Sequence, residues 1–574
     1  MKALLRYLIP YRNRMTVGLT IKMTATLAEL MLPYILSHIL KNVVVVQDIS
    51  LILLWGGAMI LFAAIACVGN IIANRMAARV SADFARQMRQ DLFDSTLRLS
   101  AAQADRFTIP SLESRITSDT YNAHSFINMM QRMGVRAPIL LIGGMAITLM
   151  MDAYLALAML AVLPLIFVTV YFISRKGVPL YSGVQQAVDR MIRVVREDIQ
   201  GIRVIKALSK TEYEHRRYDT ANADLVKKDT HAGVIMGSVN PIMTLLMNGG
   251  IVAVVALAAS RVARGQSDPE TVIAFMQYFT LISMAMMSVT RMFVMYTKCA
   301  ASARRIAEVL ETDEDLPVLS EGDYPREESG AHIRFDHVSF SYTGKRQELE
   351  DISFTLPRGG RLGIIGATGS GKSTLIKLLL RFYDVTEGSV YINGQDIRTM
   401  DKASLYAIFG TAMQQDFLYD DTIEENIRFG REIPHDDVVR AAAIAQADGF
   451  ITAFPDGYAH KIAAGGTNIS GGQKQRLLIA RALAAQPDIL ILDDSSSALD
   501  YKTDAALRRG LAESMANTTV VTVAQRVSTV KDCDRILVLE EGRVIGDGTH
   551  EQLLADCPTY REISDSQMGG AFVD

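Results

Sequence analysis

Gly366-Ala367-Thr368-Gly369-Ser370-Gly371-Lys372-Ser373 stands between an apolar run, Leu362-Gly363-Ile364-Ile365, and a helix-prone one, Thr374-Leu375-Ile376-Lys377-Leu378-Leu379-Leu380. A glycine-rich turn between strand and helix, closed by Lys-Ser, fits the phosphate-binding loop at every fixed position. Its glycines let backbone N–H groups close around phosphate oxygens, and the helix N-terminus adds favourable polarity. Residues Gly366 to Thr374 are therefore expected to hold a nucleotide, ATP with Mg²⁺. Lys372 would reach the β- and γ-phosphates and Ser373 would ligate the metal. From Ile333 onward, short β-rich runs alternate with helical segments, so this half of the chain reads as α/β.

Upstream the character changes. The chain has 574 residues, 49% of them apolar, and a mean hydropathy of +0.18. That is too apolar for a wholly soluble protein and too charged for one wholly in lipid. The net charge of −3 hides an asymmetry. Residues 1–310 hold 33 Lys and Arg against 20 Asp and Glu, and residues 311–574 hold 26 against 42. Six apolar stretches near 16–42, 51–74, 133–151, 154–174, 233–260 and 271–297 are long enough to cross a bilayer, which takes about 20 residues each. The connections after the second and fourth run to nearly sixty residues and are rich in arginine, including Arg75, Arg79, Arg193 and Arg196. The positive-inside tendency puts them, and the N-terminus, in the cytoplasm. Arg261 and Arg264, in a loop expected outside, run against this. No cleavable signal is evident, and Met1 to Met15 suits a short helix on the membrane face. Cys67, Cys299, Cys533 and Cys557 have no metal-site spacing. Residues 311–330, acidic and carrying Pro317 and Pro325, read as a linker. The expected organisation is a transmembrane domain over 1–310, a linker over 311–330 and a nucleotide-binding domain over 331–574.

Two further motifs narrow the family. Asn468-Ile469-Ser470-Gly471-Gly472-Gln473-Lys474-Gln475-Arg476 precedes Ile489-Leu490-Ile491-Leu492-Asp493-Asp494-Ser495-Ser496-Ser497-Ala498-Leu499-Asp500. Together with the phosphate loop, in this order, they resemble the ATP-binding cassette (ABC) family. The fused order of membrane and ATPase parts resembles an ABC exporter half-transporter of the bacterial multidrug type. The resemblance implies an all-α six-helix membrane domain followed by an α/β nucleotide-binding domain. It implies that Ser470, Gly471, Gly472 and Gln473 face the γ-phosphate of ATP held by a partner domain. Tyr342 would stack on adenine, Asp493 would hold Mg²⁺ through water, and Gln414 would join Mg²⁺ to the membrane domain, with Gln415 as the alternative register. Leu112-Glu113-Ser114-Arg115-Ile116-Thr117-Ser118-Asp119 and Thr211-Glu212-Tyr213-Glu214-His215-Arg216-Arg217-Tyr218, at the turning points of the long connections, resemble the family's transverse coupling helices.

Three positions depart from the pattern. Asp494 stands where the family carries the glutamate that polarises the attacking water, one methylene shorter, and about 1 Å of misplacement can cost roughly 100-fold in rate. Gln525, in Val521-Thr522-Val523-Ala524-Gln525-Arg526, replaces a histidine and cannot carry its charge. Ala464 replaces a glutamate that relays motion to the coupling helices. The first two weaken the chain's own site and spare the signature that serves a partner's. The resemblance is closest to the degenerate-site subunit of heterodimeric exporters in the bacterial plasma membrane. It implies a partner with an intact glutamate and histidine, contact with membrane lipids, and an amphipathic drug, lipid or peptide as substrate. No nucleic-acid partner is expected. Met276, Met284, Met286, Met287, Met292 and Met295 in the sixth span suit a tolerant apolar path, or simple gap-filling. Glu29 and Arg291 are ionisable within spans, where such groups tend to be functional or to face a water-filled cavity, and Glu29 is a candidate substrate contact. A regulatory ABC membrane protein that gates or signals on ATP binding is the alternative.

Overall fold

The structure, a computed structural model, describes residues 2–266, 268–320, 322, 324, 326, 330–414 and 416–568. Gln415, the alternative register, lies outside the described residues. The chain divides into two compact units, Met1–Leu97 with Thr108–Thr312, and Arg98–Phe107 with Asp313–Asp574.

The helices in chain order are α1 (Lys2–Leu8), α2 (Arg12–His38), α3 (Ile49–Arg98), α4 (Ala101–Phe107), α5 (Ile109–Ser114), α6 (Thr120–Met133), α7 (Arg136–Met151), α8 (Ala153–Gln200), α9 (Ile202–Ala207), α10 (Thr211–Gly237), α11 (Val239–Ala263) and α12 (Pro269–Leu310). All but α4 belong to the first unit, apart from Arg98 at the end of α3. Among the described residues, five helical stretches are long and apolar enough to cross a membrane: Leu4–Val46, Ile49–Arg98, Ile109–Met151, Thr211–Ala263 and Pro269–Leu310. The remaining expected span falls in α8, which opens on the apolar Ala153–Val162. Leu53, Leu54 and Ile60 on α3 are more than two-thirds exposed, an apolar face that suits lipid as its solvent. Inside, Leu30, Leu140, Leu155, Phe275, Phe279 and Ile282 form the core. The buried Tyr278 hydroxyl donates to the Leu30 carbonyl at 2.7 Å, so no polar atom of that ring is stranded. Gly250 allows a close approach, since a Cβ there would stand 2.6 Å from Phe279. Arg261 is neutralised by Asp152 at 3.4 Å and lies over the Tyr154 ring, which accounts for a cation at that end of the bundle.

The turning points differ from the sequence expectation. The short helices at the turns are α4, α5 and α9; Leu112–Asp119 runs from the end of α5 through a helical turn up to α6, and Thr211–Tyr218 opens the long α10. The reason is burial. Asp119 accepts from Ser302 Oγ at 2.8 Å and Arg305 Nε at 2.7 Å, while Arg115 donates to the Arg305 carbonyl and to Glu308. These residues clamp α12. In the other connection, Arg217 pairs with Glu197, tying the start of α10 to α8.

In the second unit the central sheet runs Arg543–Gly548, Arg535–Glu540, Arg361–Gly366, Thr519–Val523, Ile489–Asp493, Phe409–Ala412, parallel except at the first strand. Ile489–Asp493 is buried throughout, which explains its unbroken apolar run. A second, antiparallel sheet contains Leu349–Pro357, Ala331–Phe340, Glu387–Ile392 and Gln395–Asp396. α4 packs within this unit. Ala101 lies against its core, Gln103 Nε2 donates to the Asp313 carbonyl at 2.7 Å, and Tyr383 donates to Asp105 at 2.8 Å.

Candidate functional site

The carboxyl ends of neighbouring parallel strands are where an open α/β sheet builds its ligand site. Here Gly366, Val523, Asp493 and Ala412 end adjacent strands, so the phosphate loop, Gln525, Asp494 and Gln414 come together although they are far apart in sequence. They line a cavity of about 270 Å³ that includes Thr368, Gly369, Gly371, Lys372, Ser373, Thr374 and Asp493. Gly371 has φ +104°, and a Cβ there would meet Leu349 at 2.7 Å, so the close turn requires glycine.

Lys372 Nζ donates to the carbonyls of Gly366 at 2.9 Å and Ala367 at 2.7 Å. Burial holds its ammonium pKa below the usual lysine range, against the opposing pull of Asp494 and Asp493. Ser373 Oγ donates to Asp493 Oδ1 at 3.4 Å. Asp493 is buried, and that burial pushes its carboxyl above the ordinary range, while the Ser373 hydrogen bond pulls it back. A hydroxyl, a buried carboxylate and an amide oxygen form a hard oxygen set that fits Mg²⁺ with phosphate and water completing the shell. Among the described residues no group of three or more His, Cys, Asp or Glu could hold a metal alone.

Asp494 sits at φ +49°, its N–H bonded to the Val523 carbonyl at 2.9 Å. Its Oδ2 accepts from Gln525 Nε2 at 3.0 Å and from Gln414 Nε2 at 3.3 Å. Burial raises its carboxyl pKa, and the Gln525 hydrogen bond is the largest opposing effect. Both amides are thus committed to the Asp494 carboxylate. Neither can take up a proton or supply a charge.

Tyr342 stands beside this cavity, its hydroxyl 3.3 Å from Thr374 Oγ1 and its N–H donating to Glu348. Its ring is held edge-on by Phe340 and Tyr383, at 4.8 and 5.0 Å between centroids, and it remains 40% exposed. The signature residues are not brought to this cavity. Ser470 caps the helix Gly471–Ala484 through a reciprocal bond with Gln473, and Ser470 and Gly471 are exposed. Gly472 faces the Ala498 carbonyl, 3.2 Å from where its Cβ would lie. Ala464 is exposed and opens the turn Ala464–Gly466, whose Gly466 is buried. Sequence reasoning missed Arg346, Gln347, Glu348, Glu541 and Gly542, which also line the cavity. Gly542 donates to the Ser370 carbonyl at 3.2 Å. These residues carry no motif beyond the turn signal of Glu541-Gly542.

In the membrane unit, Glu29 accepts from Arg136 at 2.7 and 3.3 Å, so its charge is already matched. Met276 and Met284 are exposed on α12, whereas Met286, Met287, Met292 and Met295 are partly buried.

Residues 15–286 match the family model described as the ABC transporter transmembrane region, and residues 349–497 match that described as ABC transporter. An uncharacterized ABC transporter ATP-binding protein of Mycobacterium tuberculosis (strain CDC 1551 / Oshkosh) is 34% identical over 577 residues, covering 100% of this chain and 99% of that protein. A protein of Mycobacterium bovis named fatty acid ABC transporter ATP-binding/permease protein is 32% identical over 479 residues, 83% of this chain and 75% of its own. A solved bacterial Atm1-family ABC exporter with ATP bound shares the fold, with a TM-score of 0.81 at 23% identity over 98% of this chain and 99% of that one.

Proposed function

The chain belongs to the ABC transporter family, as an exporter half-transporter that joins a transmembrane region to an ATP-binding domain, and on that premise we propose that it is the degenerate-site subunit of a heterodimeric exporter of amphipathic molecules. The observation that carries the reading is the pairing of Asp494 with Gln525 and Gln414 at the head of an otherwise complete nucleotide cavity. Lys372 binds the phosphates, Ser373, Gln414 and Asp493 hold Mg²⁺, and Tyr342 stacks on adenine. The shortened carboxylate and the neutral amide hold the γ-phosphate without driving water onto it. The Ser470-to-Gln473 helix start, exposed at Ser470 and Gly471, serves a second subunit, whose own glutamate and histidine complete the productive site. Ile202, Val204 and Leu208, exposed at the α9 turn, suit burial against that partner. ATP binding closes the two nucleotide-binding domains and turns the substrate cavity outward; hydrolysis at the competent site resets it. The domain boundaries of 310 and 331 are part of this proposal, with α4 as a coupling segment.

The nucleotide assignment is tested on this subunit directly. Lys372→Ala removes the phosphate-binding ammonium, so photolabelling by 8-azido-ATP falls at least about tenfold. Equal labelling of wild type and variant would sink it. For transport, proteoliposomes holding the chain and its partner move an amphipathic dye on addition of ATP. ATP binding without movement of any solute favours a regulatory role instead. Drugs, lipids and peptides are all candidate substrates, with fatty acids among them by the name of the Mycobacterium bovis relative. The exposed Met276 and Met284 give α12 an adaptable apolar face. Alanine at Met284, Met287 and Met295 therefore changes the relative transport of several amphiphiles. An unchanged profile returns these residues to packing.

A further inference from the structure

The membrane unit holds a pocket of mixed polar and apolar lining that the nucleotide chemistry does not use. It has a volume of about 360 Å³ and is lined by Tyr121, His124, Asn128 and Arg132 of α6 and by Ser288 and Arg291 of α12, among others. That volume suits a head group and the first part of a chain rather than a whole lipid. Both arginines are exposed to it. Elsewhere in this unit Arg115, Arg136, Arg261 and Arg305 are each matched by a carboxylate. Among the described residues, the side chains of Arg132 and Arg291 make neither a hydrogen bond nor an ion pair. The only carboxylate within the neighbouring span of α2, Glu29, is committed to Arg136. Two guanidiniums opening into one pocket without a counter-charge repel each other, and an anion between them removes that repulsion.

Depth identifies the ligand further. Arg291 lies about 33 Å down α12 from Pro269 at 1.5 Å per residue, close to one hydrocarbon thickness of about 30 Å. Arg132 stands at the end of α6, immediately before α7 begins. Both belong at the membrane interface that faces the arginine-rich connections. Met284, one turn beyond Ser288 toward the hydrocarbon, is 55% exposed and offers an adaptable surface to an acyl chain.

We propose that this pocket takes the head group of an anionic amphiphile, a carboxylate or a phosphate ester, between Arg132 and Arg291, with its tail on the methionine face of α12. As an anion site it stands by itself. As the entry site of a transported substrate it rests on the exporter reading above.

The test uses the full chain in nanodiscs with three photoreactive diazirine lipids of equal chain length: palmitate, the corresponding alcohol, and phosphatidylglycerol. Palmitate labels α6 and α12 peptides at least about tenfold more than the alcohol. Arg132→Gln with Arg291→Gln removes that preference, while Arg132→Lys with Arg291→Lys retains much of it. Unchanged Lys372-dependent nucleotide labelling confirms that the variants are folded. Equal labelling by acid and alcohol, or a preference that survives the double glutamine variant, overturns the proposal. Labelling by phosphatidylglycerol that palmitate fails to displace assigns the site to a bilayer lipid, and displacement assigns it to the free acid; either supports an anion site. In proteoliposomes with the partner, ATP-driven export of neutral amphiphiles that is indifferent to both arginines, with anions not exported, overturns the entry role and leaves the exporter reading intact. Anion labelling with no ATP-driven movement of any amphiphile leaves the site and removes the exporter reading.

Discussion

Gly472→Glu in the assembled complex lowers ATP turnover by about 100-fold or more, whereas Asp494→Asn leaves most of it. Gly472 lies in the first turn of a helix whose N-terminus is capped by Ser470 and exposed at Ser470 and Gly471. A glutamate there would crowd the Ala498 carbonyl and push a bulky anion toward the partner's γ-phosphate, reversing the favourable polarity of the helix start. Asp494 sits between two amides, and on the degenerate-site reading proposed above it contributes little to turnover, so removing its charge is expected to change little. Steady-state phosphate release from the two variant complexes checks both arms. Robust turnover by the lone chain that disappears with Asp494→Asn would reverse the assignment and make aspartate a working base.

The second expected result is a gain. Asp494→Glu together with Gln525→His should raise hydrolysis at this chain's own site by about 100-fold, because the two changes restore reach and charge at once. The structure explains why either change alone does less. With Gln525 in place a glutamate would still be pinned by the amide that now holds Asp494 Oδ2, and with Asp494 in place a histidine would lack a carboxylate at the right distance. Vanadate trapping reads the effect: nucleotide trapped per complex doubles when both sites cycle. A complex that traps no more than wild type would show that something besides these two residues disables the site.

The features legible in sequence share one property, in that neighbours in the chain determine them. Gly366 to Ser373 reads as a phosphate loop because its glycines, lysine and serine act within a single turn. The spans read as spans because about 20 apolar residues suffice for a bilayer whatever they pack against. Asp494 and Gln525 read as departures because each sits at a fixed offset from the end of a buried strand. The turn helices did not read correctly. Leu112–Asp119 has the polar, helical look of a solvated turn, yet Asp119 and Arg115 are consumed by Ser302, Arg305 and Glu308, nearly two hundred residues away.

Sequence alone therefore determined the membrane and α/β halves and the phosphate-loop motif, and marked Asp494 and Gln525 as departures from the family pattern, since periodicity and motif spacing are local. Only the tertiary structure decided which charges are spent and which are free. Glu29 is matched by Arg136 and Arg261 by Asp152, while Arg132 and Arg291 are left facing one pocket. It also decided that α4 joins the nucleotide-binding unit through Tyr383 and Asp105, and that Glu348 and Gly542 border the phosphate loop. The physical reason is that a side chain's charge and hydrogen bonds are settled by whatever sheet order and helix packing bring against it, and those partners need not be its neighbours in the chain.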